Sequence, residues 1–298
     1  MAEEYAADLR AVREAAARLA GVAHRTPVAT CATLDRLAGR RLFFKCEQLQ
    51  KAGAFKFRGA LNAVARLSAQ GGARAVVTHS SGNHGQALAL AARLHGIPAW
   101  VVVPEDVAAP KLRAVEAYGG RAVLCEPTLE ARDATARRVA AETGGVLVPP
   151  FDHPDVIAGQ GTVALELLDQ VPDLDAIVAP VGGGGLVSGI ALAARSKALG
   201  HLQPQRAPKT LADGLLTSLG ALTWPVIRDC VERVVTVDED EIVQALRLLW
   251  ERAKLLVEPS AAVALAAVLS GELRGLAGVE RVGVVLTGGN VDLDRLPW

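Results

Sequence analysis

From residue 73 onward the chain repeats one unit: a short β-branched run that reads as a strand, a small-residue turn, and a longer segment with helical spacing. Such alternation restricts the fold to α/β architecture, because a parallel strand pair needs a crossover connection and the crossover helix then covers the sheet. Strands are expected at residues 73–78, 99–103, 121–124 and 146–148, with helices at 83–95, 110–118 and 128–142. A second series carries helices at 156–170 and 185–199 and a strand at 176–180. It falters at 201–209, where Pro- and Gln-bearing sequence stands in place of the next strand. It resumes with a strand at 231–237, helices at 239–255 and 260–270, and a closing strand at 282–286. A helix at 3–20, a strand at 41–47 and a helix at 57–68 precede the first series.

Composition narrows the partners. A chain of 298 residues that is 51% hydrophobic has enough apolar material for two domains with real cores, and with aromatics at 4% those cores must be filled by Ala, Val and Leu. Lys+Arg 32 balance Asp+Glu 32 with no basic run, which argues against nucleic acid as a partner. No stretch approaches the roughly 18 apolar residues of a membrane helix, and the first residues lack the apolar core of a signal peptide. Cys31, Cys46, Cys125 and Cys230 lie far apart, so neither a zinc site nor a disulfide framework is suggested, and a cytoplasmic setting fits.

Four segments carry chemistry. In Ala54-Phe55-Lys56-Phe57-Arg58-Gly59-Ala60, Lys56 stands between two rings, where desolvation would prepare an amine as a nucleophile; a solvated surface lysine is the plainer alternative. Thr78-His79-Ser80-Ser81-Gly82-Asn83-His84-Gly85 lies between a strand and a helix. Unpaired N–H groups and the helix dipole there would hold a carboxylate, unless Ser81 or Asn83 merely caps the helix. His79 and His84 lack the acidic or thiol partners of a metal site. Pro180-Val181-Gly182-Gly183-Gly184-Gly185-Leu186 repeats the strand, glycine, helix order and suits a phosphate, but matches neither the P-loop nor the dinucleotide fingerprint. Leu286-Thr287-Gly288-Gly289-Asn290 sets a hydroxyl at the carboxyl end of the last strand, where such folds hold ligands; it is also simply a good turn.

Together these segments resemble the pyridoxal-phosphate enzymes of fold type II, and within them the serine racemase and short serine/threonine dehydratase family. FKFRGA, SSGNHGQA, VIAGQGT, VGGGGL, EPSAA and TGGNVDL occur in family order over nearly the whole chain. The resemblance implies a two-domain, tryptophan synthase β-like fold with parallel-rich twisted sheets flanked by helices. Residues 1–74 and 153–298 would form the large cofactor-binding domain and residues 75–152 the small substrate-loop domain. It implies that Lys56 binds pyridoxal 5'-phosphate as a Schiff base and acts as base on one face of the substrate Cα. Phe55 would pack beside the cofactor ring, Asn83 bond its 3-hydroxyl, Gly182, Gly183, Gly184 and Gly185 bind its phosphate, and Thr287 face its pyridine nitrogen. Ser80, Ser81, Gly82, Asn83 and His84 would hold the substrate carboxylate.

A neutral hydroxyl at Thr287 stabilises a pyridinium less than a carboxylate would, which favours loss of a β-hydroxyl once Cα is deprotonated. The implied reaction is elimination of water from L-serine or L-threonine, giving a 2-oxo acid and ammonia. Ser81 matches the second acid/base of the racemases, where many pure dehydratases carry alanine, so serine racemisation is expected as well. Glu258 in Val257-Glu258-Pro259-Ser260 matches a family position near the cofactor, with a helix N-terminal charge as the plain alternative. Arg132 would approach the substrate side chain unless it is a solvated helix arginine. Phe151 stands where the mammalian racemases have asparagine, and the resemblance on that point places this chain nearer the microbial dehydratases. A homodimer and a small amino-acid substrate are implied partners, with neither nucleic acid nor membrane.

One departure stands out. After Gly200 the family has about two dozen further residues, comprising a strand and a loop whose acids bind a divalent cation; here Gly200 is followed directly by His201. No metal ligands are therefore assigned. The alternatives are a 3-hydroxyaspartate dehydratase or other lyase of this fold, or an inactive variant that binds partners because the strand is missing.

Overall fold

Two sheets, not one, are built from these βα units in the computed structural model, which describes residues 5–80, 82–107, 109–194, 210–274 and 276–298. The first sheet takes β1 (Val28–Ala29), β2 (Arg41–Cys46), β7 (Ala176–Val178) and β8 (Arg281–Leu286) in the order β1-β2-β8-β7. Only β1 is antiparallel; β2 and β8 run side by side from Arg41 opposite Arg281 to Cys46 opposite Leu286. The second sheet is wholly parallel, with β3 (Val76–His79), β4 (Ala99–Pro104), β5 (Gly120–Cys125) and β6 (Val146–Leu147) in the order β5-β4-β3-β6.

The helices between and around them are α1 (Leu9–Leu19), α2 (Ala32–Ala38), α3 (Lys56–Ala69), α4 (Asn83–Leu94), α5 (Ala109–Ala117), α6 (Leu129–Thr143), α7 (Pro154–Gln170), α8 (Gly185–Ala194), α9 (Thr223–Cys230), α10 (Glu239–Leu248), α11 (Pro259–Leu269) and α12 (Gly271–Arg274). Local chemistry sets their ends. Asp8 accepts the Ala11 amide to start α1, Asp238 and Glu241 form a reciprocal capping box on α10, and Thr128 caps α6. Val12, Ala15 and Leu19 are the buried positions of α1, at helical spacing.

Small residues let three helices meet backbone to backbone. A Cβ at Gly159 would lie 2.6 Å from the Cα of Gly59, and one at Gly161 would lie 2.7 Å from the carbonyl oxygen of Gly189. α7 is thereby pressed between α3 and α8, so the first residue of α3, Lys56, and the glycine turn before α8 are held by one rigid layer. One core lies between the first sheet and α10 and α11, with Phe44, Leu246, Leu265 and Val284 among its fully buried members. A second joins α3 and α4 to the second sheet through Phe57, Leu61, Val76 and Leu88.

Three expectations change. Residues 231–237 follow the alternating pattern but form no ladder, because no described strand lies beside them; Val234 is 61% exposed. The helix expected at 239–255 ends as α10 and continues only as a wide turn to Ala253, stopped by Lys254 at φ 60. α2 and α9 arise where no helix is expected from the pattern. The junction of Gly200 with His201 and the predicted loop at 201–209 lie outside the described residues, as does the end of the helix expected at 185–199.

Candidate active site

Carboxyl ends of strands converge on one cleft, as open α/β sheets require of a ligand site. The chain leaves β2, makes two tight turns and enters α3 at Lys56; it leaves β8 into residues 287–290. These two loops are stitched together: the Phe55 amide donates to the Thr287 carbonyl (3.0 Å), Ala54 bridges Gly288, and the Gly289 amide donates to the Gly53 carbonyl (3.0 Å). Thr287 is buried, and Phe55 caps α3 with its ring 5.1 Å from Lys56 Nζ.

Lys56 is half-buried, and its Nζ donates to the Pro150 carbonyl at 2.7 Å. Desolvation brings its pKa down from 10.5 to about 8, although the Glu258 carboxylate works the other way. Its head is held against the Pro150 carbonyl and beside the Phe55 ring, which does not fit the plainer reading as a solvated surface lysine. Phe151, the next residue after Pro150, lies against the glycine turn, where a Cβ on Gly183 would overlap its ring. Gly184 takes φ +90, a conformation glycine permits, and the Gly183 carbonyl accepts the Thr223 hydroxyl at 2.8 Å. Among the described residues the amides of Gly182, Gly183 and Gly184 donate to no protein acceptor, and Gly185 opens α8. Three N–H groups without a protein acceptor beside a helix start are an arrangement that can receive an anionic group.

The loop before α4 brings Ser80, Gly82, Asn83 and His84 to the same cleft; Ser81 lies outside the described residues. A Cβ on Gly85 would overlap the Ser80 carbonyl, so the loop folds tightly over the start of the helix. Asn83 is fixed at both ends of its amide. Its Nδ2 donates to both carboxylate oxygens of Glu258 (2.9 and 3.1 Å), and its Oδ1 accepts Asn290 Nδ2 (2.8 Å), which also donates to the Ala52 carbonyl. Glu258 precedes α11, and burial raises its pKa from 4.5 to about 7 against the opposing effect of the Asn83 hydrogen bond. A helix N-terminal charge is thus not its role: its side chain caps nothing and turns to Asn83.

His84 is buried with Nε2 3.1 Å from the Val148 carbonyl and Nδ1 without a partner. Desolvation first, then the Lys56 charge, lowers its pKa from 6.5 to about 3, so it is neutral and Nε2 carries the proton. A depressed histidine pKa contributes stability that is present above 6.5 and lost as pH falls toward 3. In urea titrations, His84→Gln is expected to flatten the decline of unfolding free energy over that interval; an unchanged slope would remove His84 as its source. Arg132 takes a different position. It lies on α6 beside His79, whose Nε2 is 3.1 Å from Asp133 Oδ1, and the Arg132 Nε is buried without a partner.

Asn290 and the Pro150 carbonyl are site groups that their sequence context does not announce. Asn290 lies in the same Thr-Gly-Gly-Asn turn as Thr287, but its two partners are 207 and 238 residues away.

Comparison with known proteins agrees with this geometry. A family model described as pyridoxal-phosphate dependent enzyme matches residues 19–288. Serine racemase of Arabidopsis thaliana is 48% identical over 318 residues, covering 99% of this chain and 96% of that protein. The structure of maize serine racemase superposes with a TM-score of 0.94 at 44% identity, covering 97% of this chain and 95% of that one. The crystal structure of a T.th. threonine deaminase gives 0.89 at 40% identity, covering 97% and 100%. The Arabidopsis alignment runs over 318 positions against 298 residues here, so that relative carries internal residues with no counterpart in this chain.

Proposed function

Because the chain belongs to the family of pyridoxal-phosphate dependent enzymes, we propose that it removes water from L-serine and L-threonine, giving a 2-oxo acid and ammonia, and racemises serine. The observation that carries this is the desolvated Lys56 amine, with a pKa of about 8, placed between the Thr287 loop and a turn with three unused glycine amides. Pyridoxal 5'-phosphate, when bound, supplies an electron sink for the charge developed at the substrate Cα. The unused amides of Gly182, Gly183 and Gly184, with Gly185 opening α8, fit its phosphate, and Phe55, Asn83, Glu258 and Thr287 would surround its ring.

The chain's own groups divide the work. Residues 80–84 hold the substrate carboxylate at the start of α4, where helix dipole and free donors favour an anion. Lys56 takes the Cα proton on one face and, with a pKa near the working pH, returns it readily. Thr287 offers a neutral hydroxyl, which favours departure of the β-hydroxyl over reprotonation. Ser81 supplies the acid/base on the opposite face by which the L form becomes the D form. We place the boundary of the small substrate-loop domain at residues 75–152, assign the protein to the cytoplasm as a homodimer, and assign no divalent cation ligands.

Assay of serine, threonine and 3-hydroxyaspartate with parent and Ser81→Ala protein tests the proposal. Parent protein is expected to form both ketoacid and D-serine from L-serine. Ser81→Ala is expected to lose D-serine formation by about 10²-fold or more while keeping ketoacid formation within a few-fold. Equal loss of both activities would remove Ser81 from the opposite face, and turnover of 3-hydroxyaspartate alone would select that lyase instead.

Asn83 offers a finer test. Losing one hydrogen bond to a well-placed amide costs about 0.5–1.5 kcal/mol, so Asn83→Ala and Asn290→Ala should each weaken cofactor binding by about 2- to 10-fold. If Asn290 acts by orienting Asn83, the double variant binds no more weakly than Asn83→Ala alone. Additive losses in a fluorescence titration would mean that Asn290 acts independently.

A further inference from the structure

Opposite the cleft, at the amino-terminal edge of the first sheet, basic side chains gather with no assigned role. Two adjoining depressions of about 430 and 610 Å³ share Arg36, Gly39 and Arg40; the larger adds Asp35, Arg41, Glu280 and Arg281, and Leu276 and Val279 line the smaller. β2 is six residues long, which puts this edge about 20 Å from the Thr287 end of the sheet. The catalytic groups do not reach it.

Arg41 and Arg281 are direct neighbours across the β2–β8 pair, so their side chains leave the sheet on the same face. Both guanidinium groups stack on one ring: that of Arg281 lies 4.7 Å from the Phe43 centroid and that of Arg41 5.7 Å. Like charges directly opposite in a sheet repel. The described residues provide no ion pair to relieve them. Arg281 donates Nε to the Asp173 carbonyl, Arg36 reaches only the Thr33 hydroxyl at 3.4 Å, and neither these two nor Arg41 bridges a carboxylate. Two acids line the larger depression, Asp35, which accepts the Leu42 amide, and the exposed Glu280, while Asp175 nearby accepts the Glu280 and Arg281 amides; four arginines thus face two carboxylates there. Arg40 already donates to the Leu273 and Leu276 carbonyls and lines the pocket between the others.

We propose that this edge is a second binding site, for a compact multivalent oxyanion of the diphosphate type, held by Arg36, Arg41 and Arg281. Guanidinium groups present planar paired donors that match phosphate oxygens, and several of them converging on one pocket select an anion with more than one charged group over a single one. The stack on Phe43 holds two of the three heads in place before the ligand arrives, which lowers the ordering cost of binding.

Isothermal titration of the full chain with inorganic pyrophosphate, in saturating pyridoxal 5'-phosphate so that the glycine turn is filled, tests this directly. One saturable site is expected, with a Kd below about 1 mM and at least about tenfold tighter than for orthophosphate. Arg41→Gln/Arg281→Gln should weaken pyrophosphate binding at least about tenfold, equivalent to about 1.4 kcal/mol, while Arg13→Gln on the exposed face of α1 leaves it unchanged. Thermal unfolding of both variants within a few degrees of the parent separates lost binding from lost structure. Absence of saturable heat, equal affinity for the two anions, or undiminished binding by the double variant would each overturn the site.

Discussion

Lys56→Ala is expected to abolish the visible absorption band of bound cofactor and to lower kcat/KM for ketoacid formation by about 10³-fold or more. Two losses combine in it. The variant has no amine to condense with an aldehyde, and no base remains on that face of the substrate. The structure explains why no neighbour substitutes: His84, the buried base whose titration feels the Lys56 charge, has its pKa pushed down to about 3 and binds protons poorly at neutral pH. Glu258, raised to about 7, is already occupied by Asn83. Lys56→Arg keeps a cation against the Pro150 carbonyl but cannot condense, so it should fail as completely as alanine in both measurements. A band that disappears while ketoacid production persists would separate the cofactor from the reaction and sink the mechanism.

Residues that are close in sequence were the ones legible before the structure. The glycine turn, the Lys56 segment and the loop before α4 each declare their chemistry within about eight residues, because a strand, a tight turn and a helix start are local events. The network of Asn83, Glu258 and Asn290 joins residues 175 and 207 positions apart, and no spacing rule encodes such a contact. Residues 231–237 show the converse limit: a Val- and Thr-rich run favours an extended chain, whereas a strand also needs a neighbour to pair with. Arg58 is the sharpest case. Arginines are almost never fully buried unless paired, and nothing adjacent to Arg58 in sequence announces that Glu47 and Glu166 will enclose it.

Arg58 is wholly buried two residues after Lys56, and its removal is expected to cost about 3–5 kcal/mol of stability. Its Nε and one terminal nitrogen each donate to Glu47 at 2.8 Å, and both terminal nitrogens reach Glu166, at 2.7 and 2.8 Å. Glu166 also accepts Lys45 Nζ at 2.7 Å, so two cations and two carboxylates balance inside α3, α7 and the turn after β2. Burial opposes ionisation of Glu166, yet Arg58 and Lys45 outweigh it and hold its pKa below the ordinary carboxylate value. Arg58→Met strands Glu47, which keeps the Thr26 hydroxyl as its remaining side-chain donor. A buried carboxylate without its cation prefers a proton. Its folded-state pKa then rises, and stability gained at low pH is lost as pH climbs through that value. Urea denaturation should therefore show a large deficit for Arg58→Met at pH 7 that narrows toward pH 5, with Arg58→Lys intermediate because one ammonium cannot span both carboxylates. A deficit under about 1 kcal/mol at pH 7 would mean that the carboxylates find other partners or water. Replacing the whole network with well-packed apolar residues can be nearly neutral, whereas removing one member is not. The deficit therefore measures the cost of leaving Glu47 and Glu166 without their cation beside the first turn of α3, which is larger than the net contribution of the four charges together.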